Sequence, residues 1–130
     1  MFSKIMFATL FVSDQDKALE FYTALGFEKR DDNAWAEGRF LTIGFKGQDF
    51  DVLLWPGSAG KGKAAPGAPD ISVPGVLFIE SEDLRKDFAE LKARGVALAE
   101  PEPEEYPFGL RATAIDPDGN RVSLRQQKRR

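Results

Sequence analysis

The chain repeats itself at a spacing of 69 residues, and that repeat limits the fold more than any other feature. Asp14 corresponds to Asp83, Leu19 to Phe88, Tyr22 to Leu91, Gly26 to Gly95 and Phe27 to Val96. In each half these positions are in turn a helix cap, two members of an apolar helix stripe, a helix-ending glycine and the start of the next extended segment. Cap, stripe, stop and following strand coincide, so one supersecondary unit is used twice.

Residues 5–12 alternate, with Ile5, Phe7, Thr9 and Phe11 on one face and Met6, Ala8, Leu10 and Val12 on the other. Both faces are largely apolar, which predicts a strand covered on both sides. Ser13 and Asp14 offer helix caps, and Ala18, Phe21, Tyr22 and Leu25 form one helical stripe that Gly26 ends. Residues 27–30 read as a short strand and Asp31-Asp32-Asn33 as a turn. Residues 39–45 and 49–55 read as a hairpin around Lys46-Gly47-Gln48.

The second half restarts with a strand over 75–80. Ser81, Glu82 and Asp83 cap a helix that carries Leu84, Phe88 and Leu91 and stops at Gly95. Residues 96–99 predict a short strand, 100–105 an acidic loop broken by Pro101 and Pro103, and 110–115 with 121–125 a strand pair joined by a turn at Asp116-Pro117-Asp118-Gly119-Asn120. The fold class is therefore α+β: one domain over 1–130 made of two βαβββ repeats, 4–55 and 75–126, with a linker at 56–74. Two curved mixed sheets, each with its helix outside, would enclose a cleft walled by the strand faces turned away from the helices. The linker, rich in glycine, alanine and proline, is expected to act as a lid-like loop. Its stretch Gly57-Ser58-Ala59-Gly60-Lys61-Gly62-Lys63 lacks the glycine spacing and the hydroxyl after lysine of a phosphate loop.

Composition narrows the chemistry. With 42% hydrophobic and 30% charged residues the chain has the balance of a globular protein, and no apolar run approaches a membrane span. Met1-Phe2-Ser3-Lys4 leads straight into a strand pattern without a signal-peptide layout, so a cytoplasmic location is expected. The net charge is −3, and without the basic tail Lys128-Arg129-Arg130 the body is near −6, so nucleic acid is not the expected partner. There are no cysteines and no histidines, which removes disulfides, thiol and imidazole catalysis, and every histidine or cysteine metal ligand. Any bound metal would rest on carboxylates.

Two motifs then carry a family resemblance. Phe11-Val12-Ser13-Asp14, followed by Ala18-Leu19-Glu20-Phe21-Tyr22-Thr23-Ala24-Leu25-Gly26-Phe27, is similar to the opening signature of the vicinal-oxygen-chelate superfamily, that of glyoxalase, bleomycin-resistance proteins and ring-cleaving dioxygenases. Asp116-Pro117-Asp118-Gly119-Asn120-Arg121-Val122-Ser123-Leu124 resembles its closing one, and Gly109-Leu110-Arg111 also occurs in its resistance proteins. The resemblance covers the whole chain in the right order. It implies that enzymes of this kind hold a metal through His, Gln or Glu at one inward position on the first and last strand of each half. Here those positions fall on Phe7, Leu53, Val76 and Ser123, which lack the hard oxygen or imidazole a divalent ion needs, so neither metal nor other cofactor is expected. Asp51 and Glu80, two residues along on related faces, are the carboxylates closest to that register.

Without its metal such a site leaves an apolar cup. Its expected ligand-binding residues are Phe7, Thr9, Leu53 and Trp55 in the first half, and Val76, Phe78, Tyr106, Phe108, Arg111, Arg121 and Ser123 in the second. Phe11, Asp51 and Arg125 share the same walls. Rings suit a planar aromatic ligand, and Arg111 and Arg121 suit an anionic group or a ring face. The function implied is a metal-independent small-molecule binder resembling drug-sequestering resistance proteins. Two alternatives stand beside it: a glyoxalase-like lyase or dioxygenase relative using Glu80 or Asp51 as general base, and a pseudo-enzyme interaction module. A third reading of the cup has Phe7, Leu53 and Val76 packing together and closing it. The resemblance also implies a homodimer, with Trp35 on an edge strand as an interface residue, and Asp116 and Asp118 serve the turn.

Overall fold

A computed structural model describes residues 1–3, 5–36, 38–56 and 76–128. The linker, Glu37 and the side chains of Trp35 and Val76 lie outside what is described, and with them the expectations of a lid over 56–74 and of Trp35 as an interface residue.

The chain forms two compact units, Met1–Val73 and Pro74–Arg130, each with one helix on one four-stranded mixed sheet. The first unit contains β1 (Phe7–Val12), α1 (Gln15–Ala24), β2 (Glu28–Trp35), β3 (Gly38–Gly44) and β4 (Asp51–Pro56), with strand order β1-β4-β3-β2. The second contains β5 (Val76–Glu80), α2 (Leu84–Ala93), β6 (Glu104–Tyr106), β7 (Gly109–Ile115) and β8 (Arg121–Gln127), with strand order β5-β8-β7-β6. In both, the first strand pairs in parallel with the last and the other pairings are antiparallel.

The repeat extends to hydrogen bonds. Asp14 accepts from the Lys17 amide at 3.0 Å and Asp83 from the Lys86 amide at 3.2 Å, each satisfying an amide the first helical turn leaves unpaired. Both helices end at a left-handed glycine, Gly26 at φ 106° and Gly95 at φ 79°. The same alternation builds each core. Leu10, Val12, Leu41, Ile43, Val52 and Leu54 are buried with Ala18 and Tyr22 of α1, and Ala112, Ala114, Val122 and Leu124 with Leu84, Phe88 and Leu91 of α2. Each large side chain contributes about 1.5–3 kcal/mol by leaving water.

Three local expectations change. β1 begins at Phe7, Ile5 and Met6 are exposed, and full burial is confined to one face: Leu10 and Val12 are covered, whereas on the other face Phe7 and Phe11 are half-buried and Thr9 is open. β2 runs straight through Asp31-Asp32-Asn33, the expected turn. Cross-strand partners override the turn preference there. The Asp31 amide donates to Thr42 Oγ1 at 3.0 Å, Arg39 binds Asp32, and a bulge between Lys29 and Asp32 absorbs the mismatch. In the second half the expected strand over 96–99 is reduced to a single bridge, Leu98 with Ala114, and the short strand β6 lies at Glu104–Tyr106, partly in the expected loop. Pro101 and Pro103 have no amide to give a ladder, so strand pairing starts only after the second proline.

Candidate functional site

Sheet pairing fixes which residues share a face. In the first unit Phe7 lies opposite Asp51, Thr9 opposite Leu53 and Phe11 opposite Trp55, while Thr42 of β3 lies on the other side of Leu53. These alternate with the residues buried beneath α1, so they form the face turned away from the helix. Phe7 is half-buried and meets Phe40 edge to face, ring centroids 5.7 Å apart. Leu53 is 8% exposed, Thr9 is open beside it, and the half-buried Trp55 indole closes over Gly38, where a Cβ would come within 3.6 Å of the ring.

Asp51, at one end of this face, is held by Arg30. Nη1 lies 3.2 Å from the carboxylate, and Nη2 donates to the carbonyls of Phe45 and of Gln48, the latter at 2.9 Å. Gly44 makes room for this guanidinium, because a Cβ there would sit 2.9 Å from Arg30 Cζ. Asp51 is thus committed to an ion pair.

In the second unit Phe78 lies opposite Ser123, Glu80 opposite Arg125, and Arg111 opposite Arg125 on the other side. Phe78 is 63% exposed. The Arg125 guanidinium stands 5.0 Å from the centroid of the Phe78 ring and 5.0 Å from that of Tyr106, and Arg111 stands 5.2 Å from the Tyr106 centroid. Phe108 meets Tyr106 edge to face at 5.8 Å. Ser123 Oγ accepts a hydrogen bond from Arg125 Nε at 2.8 Å. Arg121 is exposed at the start of β8, and Glu80 is exposed at the end of β5.

The expected residues therefore divide between two faces. Phe7, Thr9, Leu53 and Trp55 come together on the first unit, and Phe78, Ser123, Tyr106, Phe108 and Arg111 on the second. Three participants were not read from sequence. Phe40 and Thr42 carried the ordinary signal of alternation within β3, whereas Arg30 reaches Asp51 only because of the bulge in β2 and the absence of a side chain at Gly44. The turn expected at 116–120 is built as its sequence implies: Asp116 Oδ1 accepts from the amides of Asp118 at 2.9 Å and Asn120 at 2.8 Å.

The donor set does not fit a divalent ion. Phe7, Leu53 and Val76 offer no ligand atom, and the one oxygen among the four positions, Ser123 Oγ, is engaged by a guanidinium. Among the described residues no three carboxylates, histidines or cysteines gather in one place.

Residues 4–124 match the family described as the Glyoxalase/Bleomycin resistance protein/Dioxygenase superfamily. Among solved structures, TnmS3, an antibiotic binding protein from Streptomyces sp. CB03234, is 32% identical with a TM-score of 0.78, covering 98% of each chain. A superfamily member from Sphaerobacter thermophilus is likewise 32% identical at a TM-score of 0.78, over 97% of this chain and 98% of its own. The uncharacterised protein YurT of Bacillus subtilis is 32% identical over 134 aligned residues, 95% of this chain and 99% of its own.

Proposed function

The chain belongs to the glyoxalase, bleomycin-resistance protein and dioxygenase superfamily, and we propose that within it the protein binds a small aromatic molecule without a metal, in the manner of an antibiotic-sequestering protein. One observation carries the reading. At a position where the resemblance places a metal ligand, Phe7 instead sets an aromatic ring against Phe40 beside the open Thr9. Such a surface offers ring faces and edges to a planar ligand, each well-placed aromatic pair adding about 0.5–1.5 kcal/mol. The similarity to an antibiotic binding protein over nearly the whole chain supports the same direction.

General-base catalysis finds less support. Asp51 is paired with Arg30 and Glu80 is open to solvent, so neither stands unpartnered in an enclosed site where it could take a substrate proton.

The test is a calorimetric titration of aromatic antibiotics, quinones and thioether conjugates against wild type and Phe7→Glu. A ligand that binds wild type and loses at least about tenfold in affinity in the variant, about 1.4 kcal/mol, supports the reading. A ligand that binds both equally removes the Phe7 face from the site, and a panel with no binder removes the binding function.

We propose further that the protein works as a homodimer. The edge strands β1, β2, β5 and β6 leave backbone groups unpaired by their own sheets, and Met1, Phe2, Ile5 and Met6 expose apolar surface. Light scattering at micromolar concentration reads the mass directly, and a monomeric value rules the dimer out.

A further inference from the structure

Arg125 is restrained on three sides. Phe78 of β5 and Tyr106 of β6 each set a ring 5.0 Å from its guanidinium carbon, and Ser123 Oγ takes its Nε hydrogen at 2.8 Å. Its two terminal nitrogens make no hydrogen bond or ion pair with any described residue. A guanidinium with fixed rings, a fixed Nε and a free pair of terminal nitrogens is a preset fork for two oxygens of one anion.

Beside it stands a second cation. Arg111 lies directly across the β7–β8 ladder from Arg125 and shares the Tyr106 ring at 5.2 Å. Like charges placed opposite each other in an antiparallel pair destabilise the sheet. The carboxylates nearest in register, Glu80 beside Arg125 and Glu104 beside Arg111, are exposed and form no ion pair with either. Arg125 and Arg111 thus stand side by side with no direct ion pair to any described residue, and a bound anion reaching both would offset their repulsion. Phe78, 63% exposed, offers a ring platform next to the fork.

We infer that this face of the second unit recognises an oxyanion carried on an aromatic ring, with Arg125 gripping the oxyanion, Arg111 adding charge and Phe78 receiving the ring. Ser123 acts through Arg125 as a positioning residue. The inference rests on the proposed binding function and gives its ligand a chemical class, aromatic carboxylates or sulfonates.

Two fluorescent probes with the same ring system separate the claims: anilinonaphthalene sulfonate and its sulfonate-free parent, N-phenylnaphthylamine. Wild type is expected to bind the sulfonate about tenfold more tightly, the scale of one charge-assisted contact. Arg125→Met should bring the ratio close to one, Arg111→Gln should reduce it part-way, and added salt should weaken only the sulfonate. Circular dichroism checks the fold, and partial unfolding would raise sulfonate fluorescence rather than lower it, so a loss cannot arise from misfolding. If Arg125→Met does not fold, the exposed Arg111→Gln variant and the salt series decide. Equal affinity for both probes in wild type, or a ratio unmoved by the variants and by salt, overturns this inference while leaving the binding function intact. If neither probe binds, this inference falls, and the antibiotic panel decides the binding function separately.

Discussion

Arg39 grips Asp32 across the β2–β3 hairpin with two parallel hydrogen bonds, Nε to Oδ1 at 2.7 Å and Nη2 to Oδ2 at 2.9 Å, while its Nη1 reaches Asp16 of α1 at 2.6 Å. One guanidinium thus ties the edge of the sheet to the start of the helix. The Arg39 hydrogen bonds hold the Asp32 carboxyl down at about 2, against an ordinary value of 3.8. A carboxyl whose folded value is depressed contributes stability that is present above the unfolded value and is lost as pH falls toward the folded one. The wild-type urea midpoint should therefore drop between about pH 4 and pH 2 through this group, whereas Asp32→Asn should start lower and lose less over the same range. Parallel curves for the two proteins would show that the pair does not contribute.

Glycine is required at Gly109 for a reason that does not apply at Gly95. Gly109 has φ 142°, and a Cβ there would lie 2.0 Å from the Gln126 carbonyl oxygen, a backbone atom that cannot swing aside. Gly95 has φ 79° with nothing within 4 Å of an added Cβ. Gly109→Ala should cost at least about 3 kcal/mol and Gly95→Ala about 1 kcal/mol. Chemical denaturation of the two variants checks the order, and equal losses would contradict the geometry.

A strand residue beneath a helix and one on an open sheet face should respond oppositely to truncation. Leu54 is fully buried, so Leu54→Ala should cost about 2–5 kcal/mol. Phe78 is 63% exposed, so Phe78→Ala should stay within about 0.5 kcal/mol of wild type in stability while weakening aromatic ligands. Thermal unfolding together with the probe titration reads both effects, and a stability loss at Phe78 comparable to that at Leu54 would mean that face is core.

Sequence revealed the parts of the fold that single residues announce. Asp14 and Asp83 mark helix starts, Gly26 and Gly95 mark helix ends, and each signal acts within a turn of its own position. The open faces were legible for a similar reason: strand alternation already sets Phe7 with Thr9 and Phe78 with Glu80, and pairing then adds Leu53 and Ser123. What stayed hidden depends on partners distant in the chain. Asp31 and Asp32 read as a turn until Thr42 and Arg39 are placed across from them, and Asp51 reads as a free carboxylate until the β2 bulge and Gly44 admit Arg30. Arg125 was visible as a wall residue, but its three restraints come from β5, β6 and β8 and have no common sequence signal.

Ligand binding on these faces is proposed to need no metal. It is tested most directly by measuring the dissociation constant of one aromatic ligand for protein dialysed against a chelator, then again after adding nickel, zinc, iron or manganese. With Phe7 and Leu53 where chelating side chains would stand, and Ser123 holding Arg125, the same constant is expected in every sample, with no stoichiometric metal after dialysis. Affinity that appears only with a metal, or a metal retained at one per chain, would contradict it.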